Sequence, residues 1–125
     1  MSRRAESSKK CVLQFFAELA DGLPGDDTER ADQQVRWWLP TQPDWLVGRP
    51  AVQHGLRGVL GDRAHPVAIA GSEDGSLVVL ELEVRTSSGG RTPVTSVVQL
   101  VNDRIASGRT YVDVAAYDDH VEVAH

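Results

Sequence analysis

A single cysteine, Cys11, stands in 125 residues. One thiol closes no disulfide within the chain and builds no cysteine zinc site. Aromatic residues make up only 6%, and no apolar run approaches the length of a membrane helix. Basic charge is also in short supply. Thirteen Lys and Arg face eighteen Asp and Glu, a formal net charge of −5. That balance argues against a nucleic-acid binder, which presents a basic field. No Gly-rich dinucleotide or phosphate-loop pattern occurs, so no nucleotide cofactor is expected. No His, Asp or Glu group has metal-ligand spacing, so no metal is expected. The basic start Met1-Ser2-Arg3-Arg4 is followed by no apolar run, so no secretory signal is read there. These absences point to a soluble, cytoplasmic protein without cofactor, nucleic acid or membrane as partner.

What is present is ordinary globular composition, 41% hydrophobic and 25% charged, at a length that suits one domain. Residues 1–8 are polar and are expected to form an arm. Residues 9–118 form the domain, and 119–125 an acidic tail. Val12, Phe15, Phe16, Leu19 and Ala20 recur at helical spacing, which predicts a helix stopped near Gly22. A second helix is predicted from Asp26 or Asp27, with Ala31, Val35 and Trp38 or Leu39 as its apolar face, up to Pro40. A third opens at Gly48-Arg49-Pro50 and buries Val52, Leu56, Val59 and Leu60.

After Pro66 the apolar period changes from 3.6 to 2. Strands are predicted at 67–70, 77–85, 93–105 and 110–117, with turns at 71–75, 86–90 and Ser107-Gly108. Helices first and a meander last define an α+β domain. About three helices are expected to pack on a curved antiparallel or mixed sheet and to enclose a cone-shaped pocket. Such a cavity suits a small molecule.

Asp113 is the candidate acid or base. It sits in the last predicted strand with Tyr111, Ala115 and Tyr117 at alternate positions, a face expected to look into the cavity. A carboxyl among rings is desolvated, which raises its pKa toward the useful range. Tyr111 or Tyr117 would donate to a developing oxyanion. Of the adjacent pair Trp37 and Trp38, one lines the pocket and the other packs in the core, and Trp38 is taken as the wall. Phe16 is placed beside it. Trp45 lies in the Pro-rich segment at the expected mouth, and His54 lies on the third helix, opposite its apolar stripe. Glu81, Glu83 and Arg85 share one strand face, read as solvated or facing a second copy.

Four stretches carry a family resemblance: 15–22, Leu39-Pro40 with Val47-Gly48-Arg49-Pro50-Ala51-Val52, Asp74-Gly75 with 78–81, and 104–109 through 116–118. Their order resembles the NTF2-like superfamily, and within it the SnoaL-like and limonene-epoxide-hydrolase-like enzymes. The resemblance implies a cone-shaped fold and a mostly apolar pocket, in a homodimer or a monomer, the homodimer being the expectation. It also implies a cofactor-free isomerase, cyclase or epoxide-opening enzyme acting on a hydrophobic polyketide-, terpene- or steroid-like substrate. The alternative is a non-catalytic small-molecule-binding or protein-interaction module of the same fold. The Arg and Asp positions of the epoxide hydrolases fall on Leu82, Val84 and Ala115, which become expected wall residues. The base and tyrosine of the ketosteroid isomerases fall on Leu39 and Phe15. Asp118 matches the cyclase Asp, and no His lies on the last three predicted strands. A shifted register would bring Glu81 and Glu83 to the epoxide-hydrolase positions.

Overall fold

The computed structural model describes residues 3–21, 30–60, 64–85 and 89–112. Along the chain these form α1 (Arg3–Asp21), β1 (Ala31–Trp38), β2 (Leu46–Val47), α2 (Arg49–Leu60), β3 (Ala64–Gly71), β4 (Leu77–Arg85), β5 (Arg91–Val101) and β6 (Arg104–Val112). The six strands make one curved, unclosed sheet in the order β2-β1-β6-β5-β4-β3. Every neighbouring pair is antiparallel except β1 and β6, which run parallel.

The helices pack on one face of this sheet. Val12, Phe15, Phe16 and Leu19 of α1 and Val52, Leu56, Val59 and Leu60 of α2 are buried against Val35, Trp37, Val78, Leu80, Leu82, Val94, Val98 and Ile105. The alternation in β4 and β5 follows from the pleat: even positions face the helices and are buried, save the half-buried Val84, and odd ones face outward. An aromatic cluster fills the middle of the domain. Phe15 stacks on Trp37 with centroids 5.7 Å apart, and Phe16 meets both rings edge-on.

Trp37 is fully buried, so its indole N–H needs a partner. Nε1 donates to Thr110 Oγ1 at 2.8 Å, and Thr110 Oγ1 lies 2.9 Å from Ser96 Oγ. Both hydroxyl residues are fully buried. The chain thus places three polar groups in its core and satisfies them among themselves.

Four expectations change. The part of the predicted second helix from Ala31 to Trp38 is strand β1, its start at Asp26 or Asp27 lies outside the described residues, and the described residues hold two helices, not three. Positions 31, 35 and 39 are separated by four and eight, which fits both a helical stripe and one face of a strand. The aromatic and β-branched run Val35, Trp37, Trp38 decides for the strand. The predicted strand 93–105 contains a turn. Asn102 and Asp103 have φ of 53° and 65°, and Val101 pairs with Arg104 across a two-residue hairpin. The predicted turn at Ser107-Gly108 lies instead inside β6, and the part of the last predicted strand beyond Val112 lies outside the described residues.

Helix α1 also starts earlier than read, at Arg3, and takes in residues assigned to an arm. Ser8 is buried within it and donates from Oγ to the Gly75 carbonyl at 2.7 Å. Gly75 has φ of 76°, and a Cβ there would come within 2.9 Å of Arg4 and Ser8. Only glycine fits this approach of turn to helix. Asp74 organises the same turn. Its carboxylate accepts from the Ser76 amide and from the Ser72 and Ser76 hydroxyls. The Ser76 amide first, then the two hydroxyls, hold its pKa down at about 2.

The third predicted helix forms as expected, over Arg49–Leu60. Its start is pinned to β1: the Gly48 amide donates to Val35 O and Arg49 Nε to Ala31 O, each at 2.8 Å.

Candidate functional site

Register across the sheet sets one row on its inner face: Val112, Val94, Leu82 and Pro66. Above the β4–β3 end of this row the C-terminal turns of α1 and α2 converge. Between helices and sheet lies a cleft of about 250 Å³. Leu13 and Phe16 of α1, Leu56 and Leu60 of α2, and Leu82 and Pro66 of the sheet line it. The space exists because α1 presents Ala17 and Ala20 there, where larger side chains would fill it.

One charged side chain, Arg57, is among the described lining residues. It is half-buried, and its Nε donates to the Leu19 carbonyl at 3.4 Å. The last carbonyls of a helix lack partners within it, and a cation there also suits the helix dipole. Arg57 therefore closes the end of α1. No Asp, Glu, His, Tyr, Ser or Thr is among the described residues of the lining. The cleft can hold an apolar body by burial, and those residues offer no group to move a proton.

The expected site residues do not gather in one place. Phe16 and Leu82 line the cleft. Val84 is half-buried and packs against the core. Trp38 and Tyr111 lie on the opposite face of the sheet, ring centroids 5.4 Å apart, and Tyr111 is 43% exposed. Tyr111 was expected to look into the cavity. The strand alternation gives that direction to Gly108 and Thr110 instead, both buried. Trp45 is half-buried on the outer face, with the Arg36 and Arg109 guanidiniums 4.7 Å and 5.1 Å from its centroid. It lies away from the cleft. His54 is exposed on α2. Asp113, Ala115, Tyr117 and Asp118 fall outside the described residues.

Glu81 and Glu83 point outward, and Glu83 pairs with Arg91 at 3.2 Å. Cys11 is half-buried, and burial pushes its thiol above the ordinary value even though Arg30 opposes the shift. Among the described residues no group of three His, Cys, Asp or Glu could hold a metal ion. None of the described helices is long and apolar enough to cross a membrane.

Sequence reasoning missed Leu13, Ala17 and Arg57 of the cleft, and read Ala20, Leu56 and Leu60 only as apolar faces of their helices. Their signal was partly visible. Leu13, Ala17 and Ala20 recur at i, i+4 and i+7, a second stripe beside the one that carries Phe15 and Phe16.

No protein-family profile and no curated protein matches the sequence. Solved structures do match. A de novo designed protein with a curved β-sheet is 24% identical, with a TM-score of 0.73, covering 98% of this chain and 97% of that one. A candidate SnoaL-like polyketide cyclase from a Jannaschia species is 16% identical, TM-score 0.74, covering 97% and 95%. TerC, co-crystallised with polyporic acid, is 17% identical, TM-score 0.74, covering 93% and 98%. At these identities the likeness shows the fold alone, one shared with proteins described as NTF2-like and SnoaL-like.

Proposed function

We propose that this chain uses its NTF2-like fold to bind a compact apolar molecule in the cleft at the C-terminal ends of α1 and α2. One observation carries the reading: an unfilled space between α1, α2 and the sheet, walled by Leu, Phe and Ala side chains. At about 250 Å³ it falls just below the usual range of drug-sized ligand sites, which suits a small ring system. With Arg57 engaged at the end of α1, the wall favours a neutral ligand of terpene- or polyketide-ring type. The solved structure of TerC with polyporic acid supports a small-molecule role for the fold.

A second reading is turnover of that ligand by a cofactor-free isomerase or cyclase. The likeness to a candidate polyketide cyclase favours it. Its acid or base would be Asp113, with Tyr117 as the oxyanion donor, because the described cleft residues supply neither.

The test is a panel of ring-sized terpenes, quinones and steroids, measured by calorimetric titration against the native protein and Ala20→Phe. A ligand should bind with a Kd in the micromolar range, and filling the cleft should weaken it by about tenfold or more. Unchanged binding in Ala20→Phe places the ligand elsewhere and ends the cleft reading. Mass spectrometry of the released compound separates the two functions. An intact ligand supports binding alone. A converted one, with conversion lost in Asp113→Asn, supports the enzyme.

A further inference from the structure

The two ends of the sheet are unlike. At one end β2 is two residues long, too short to template another strand. At the other end β3 runs for eight residues, Ala64-His65-Pro66-Val67-Ala68-Ile69-Ala70-Gly71, without one Lys, Arg, Asp or Glu. Nearly all of it is exposed, Val67 to 57%. Folded proteins usually guard such an edge with charge, proline, a bulge or a covering element. Here Pro66 and the register break between Pro66 and Ala68 guard the first half only. Residues 68–71 pair in regular register with β4 on one side, and their other side is the end of the sheet.

Helix α1 runs beside this edge. A groove of about 550 Å³ lies between them, lined by Glu6, Ser7, Lys9, Lys10, Leu13 and Ile69. Leu13 from the helix and Ile69 from the strand are its apolar members. Its rim is cationic. Lys9 pairs with Glu6 at 2.7 Å, while Lys10 has no carboxylate within ion-pair distance among the described residues. The first half of α1 as a whole carries Arg3, Arg4, Lys9 and Lys10 against Glu6.

We propose that β3 and this groove take an extended acidic segment of a partner protein as a seventh strand. The added strand would hydrogen-bond to the free side of β3, the source of affinity in strand addition. Side chains of an extended segment alternate, so every second one points toward α1. An apolar one seats on Leu13 and Ile69. The next on that side, two residues along, carries a carboxylate to Lys10. A second copy of this chain fits less well, because pairing β3 with β3 brings two cationic helix halves toward each other.

The probe is a fluorescein-labelled, end-capped peptide of Thr-Val-Thr-Glu repeated twice, followed by anisotropy against the full chain. Main-chain bonding tolerates a generic sequence, so this peptide should bind. Two further peptides are N-methylated along one edge or the other. Strand addition requires that one keep its affinity and the other lose about tenfold or more. Replacing Glu by Lys in the peptide should abolish binding. Lys10→Glu in the protein should weaken it by about tenfold, with the circular dichroism spectrum unchanged.

Absence of binding, or equal loss in both N-methylated peptides, overturns the proposal. So does a dimer whose mass in light scattering halves in Val67→Lys, since the edge would then already belong to a second copy.

Discussion

Gly108 lies beside Trp37 across the parallel pairing of β1 with β6, and a Cβ on Gly108 would clash with the six-membered ring of the Trp37 indole. The missing side chain of one residue is the seat of the other's indole. Gly108 is therefore a strand residue by necessity of packing, not a turn residue. Gly108→Ala forces a rigid, fully buried ring to move. It should destabilise the fold by about 1–3 kcal/mol, as overpacked cores do. Urea denaturation measures this, and near-ultraviolet circular dichroism should show the displaced indole.

Thr110 holds the indole N–H of that same ring. Thr110→Val keeps the shape and leaves a buried donor without an acceptor. The expected loss is about 1–3 kcal/mol. Trp37→Phe removes the donor as well as part of the packing. If the hydrogen bond is the coupling, the double variant should be less destabilised than the two single losses added together. A strictly additive cycle would show that packing alone accounts for Trp37.

The turn at Ser72–Ser76 predicts a pH dependence. The Asp74 carboxyl sits at about 2 in the fold against an ordinary 3.8. A carboxyl held low stabilises the folded state above its ordinary value, and that contribution fades as pH falls through the folded one. Asp74→Ala should therefore melt below the native chain at neutral pH. The gap between the two melting temperatures should narrow as the pH is lowered from 3.8 toward 2. A gap constant over that interval would remove the hydrogen-bonded carboxylate as its cause.

The hairpin between β5 and β6 holds Asn102 and Asp103 in the left-handed region. A residue with a Cβ loses roughly 1–2 kcal/mol there relative to its favoured conformations, though Asn and Asp bear it best. Asp103→Gly should raise the melting temperature, and Asn102→Val should lower it. Differential scanning calorimetry of the two variants checks both directions.

The sequence exposed most of the sheet and misled at points with a common origin. β4 was plain because Val78, Leu80, Leu82 and Val84 alternate without interruption. α2 was plain because Pro50 and four spaced aliphatics mark its start and its face. β1 was hidden because Ala31, Val35 and Leu39 satisfy two periods at once. The β5–β6 turn was hidden because Ser107-Gly108 looks more like a turn than Asn102-Asp103 does. Only the contact with Trp37, distant in sequence, explains that glycine. The cleft was missed for the same kind of reason. Ala17 and Ala20 bind nothing in themselves, and they make a space only once α2 and β3 are set around them.

The hydrogen bond from Trp37 to Thr110 spans 73 positions of the chain. It belongs to the one strand pair that no hairpin can form, since β1 and β6 are parallel and the rest of the sheet lies between them in sequence. Closing so long a loop carries an entropic cost that local pairs avoid, and contacts of this kind slow folding. The meander from β3 to β6 can assemble by successive neighbours, whereas β1 must wait for β6 to offer its free edge. Stopped-flow refolding should show backbone circular dichroism recovering ahead of the Trp37 contribution to fluorescence, isolated by comparison with Trp37→Phe. Seen this way, the first strand of the sheet in sequence is the last to arrive, and the indole acts as the latch on a nearly finished structure.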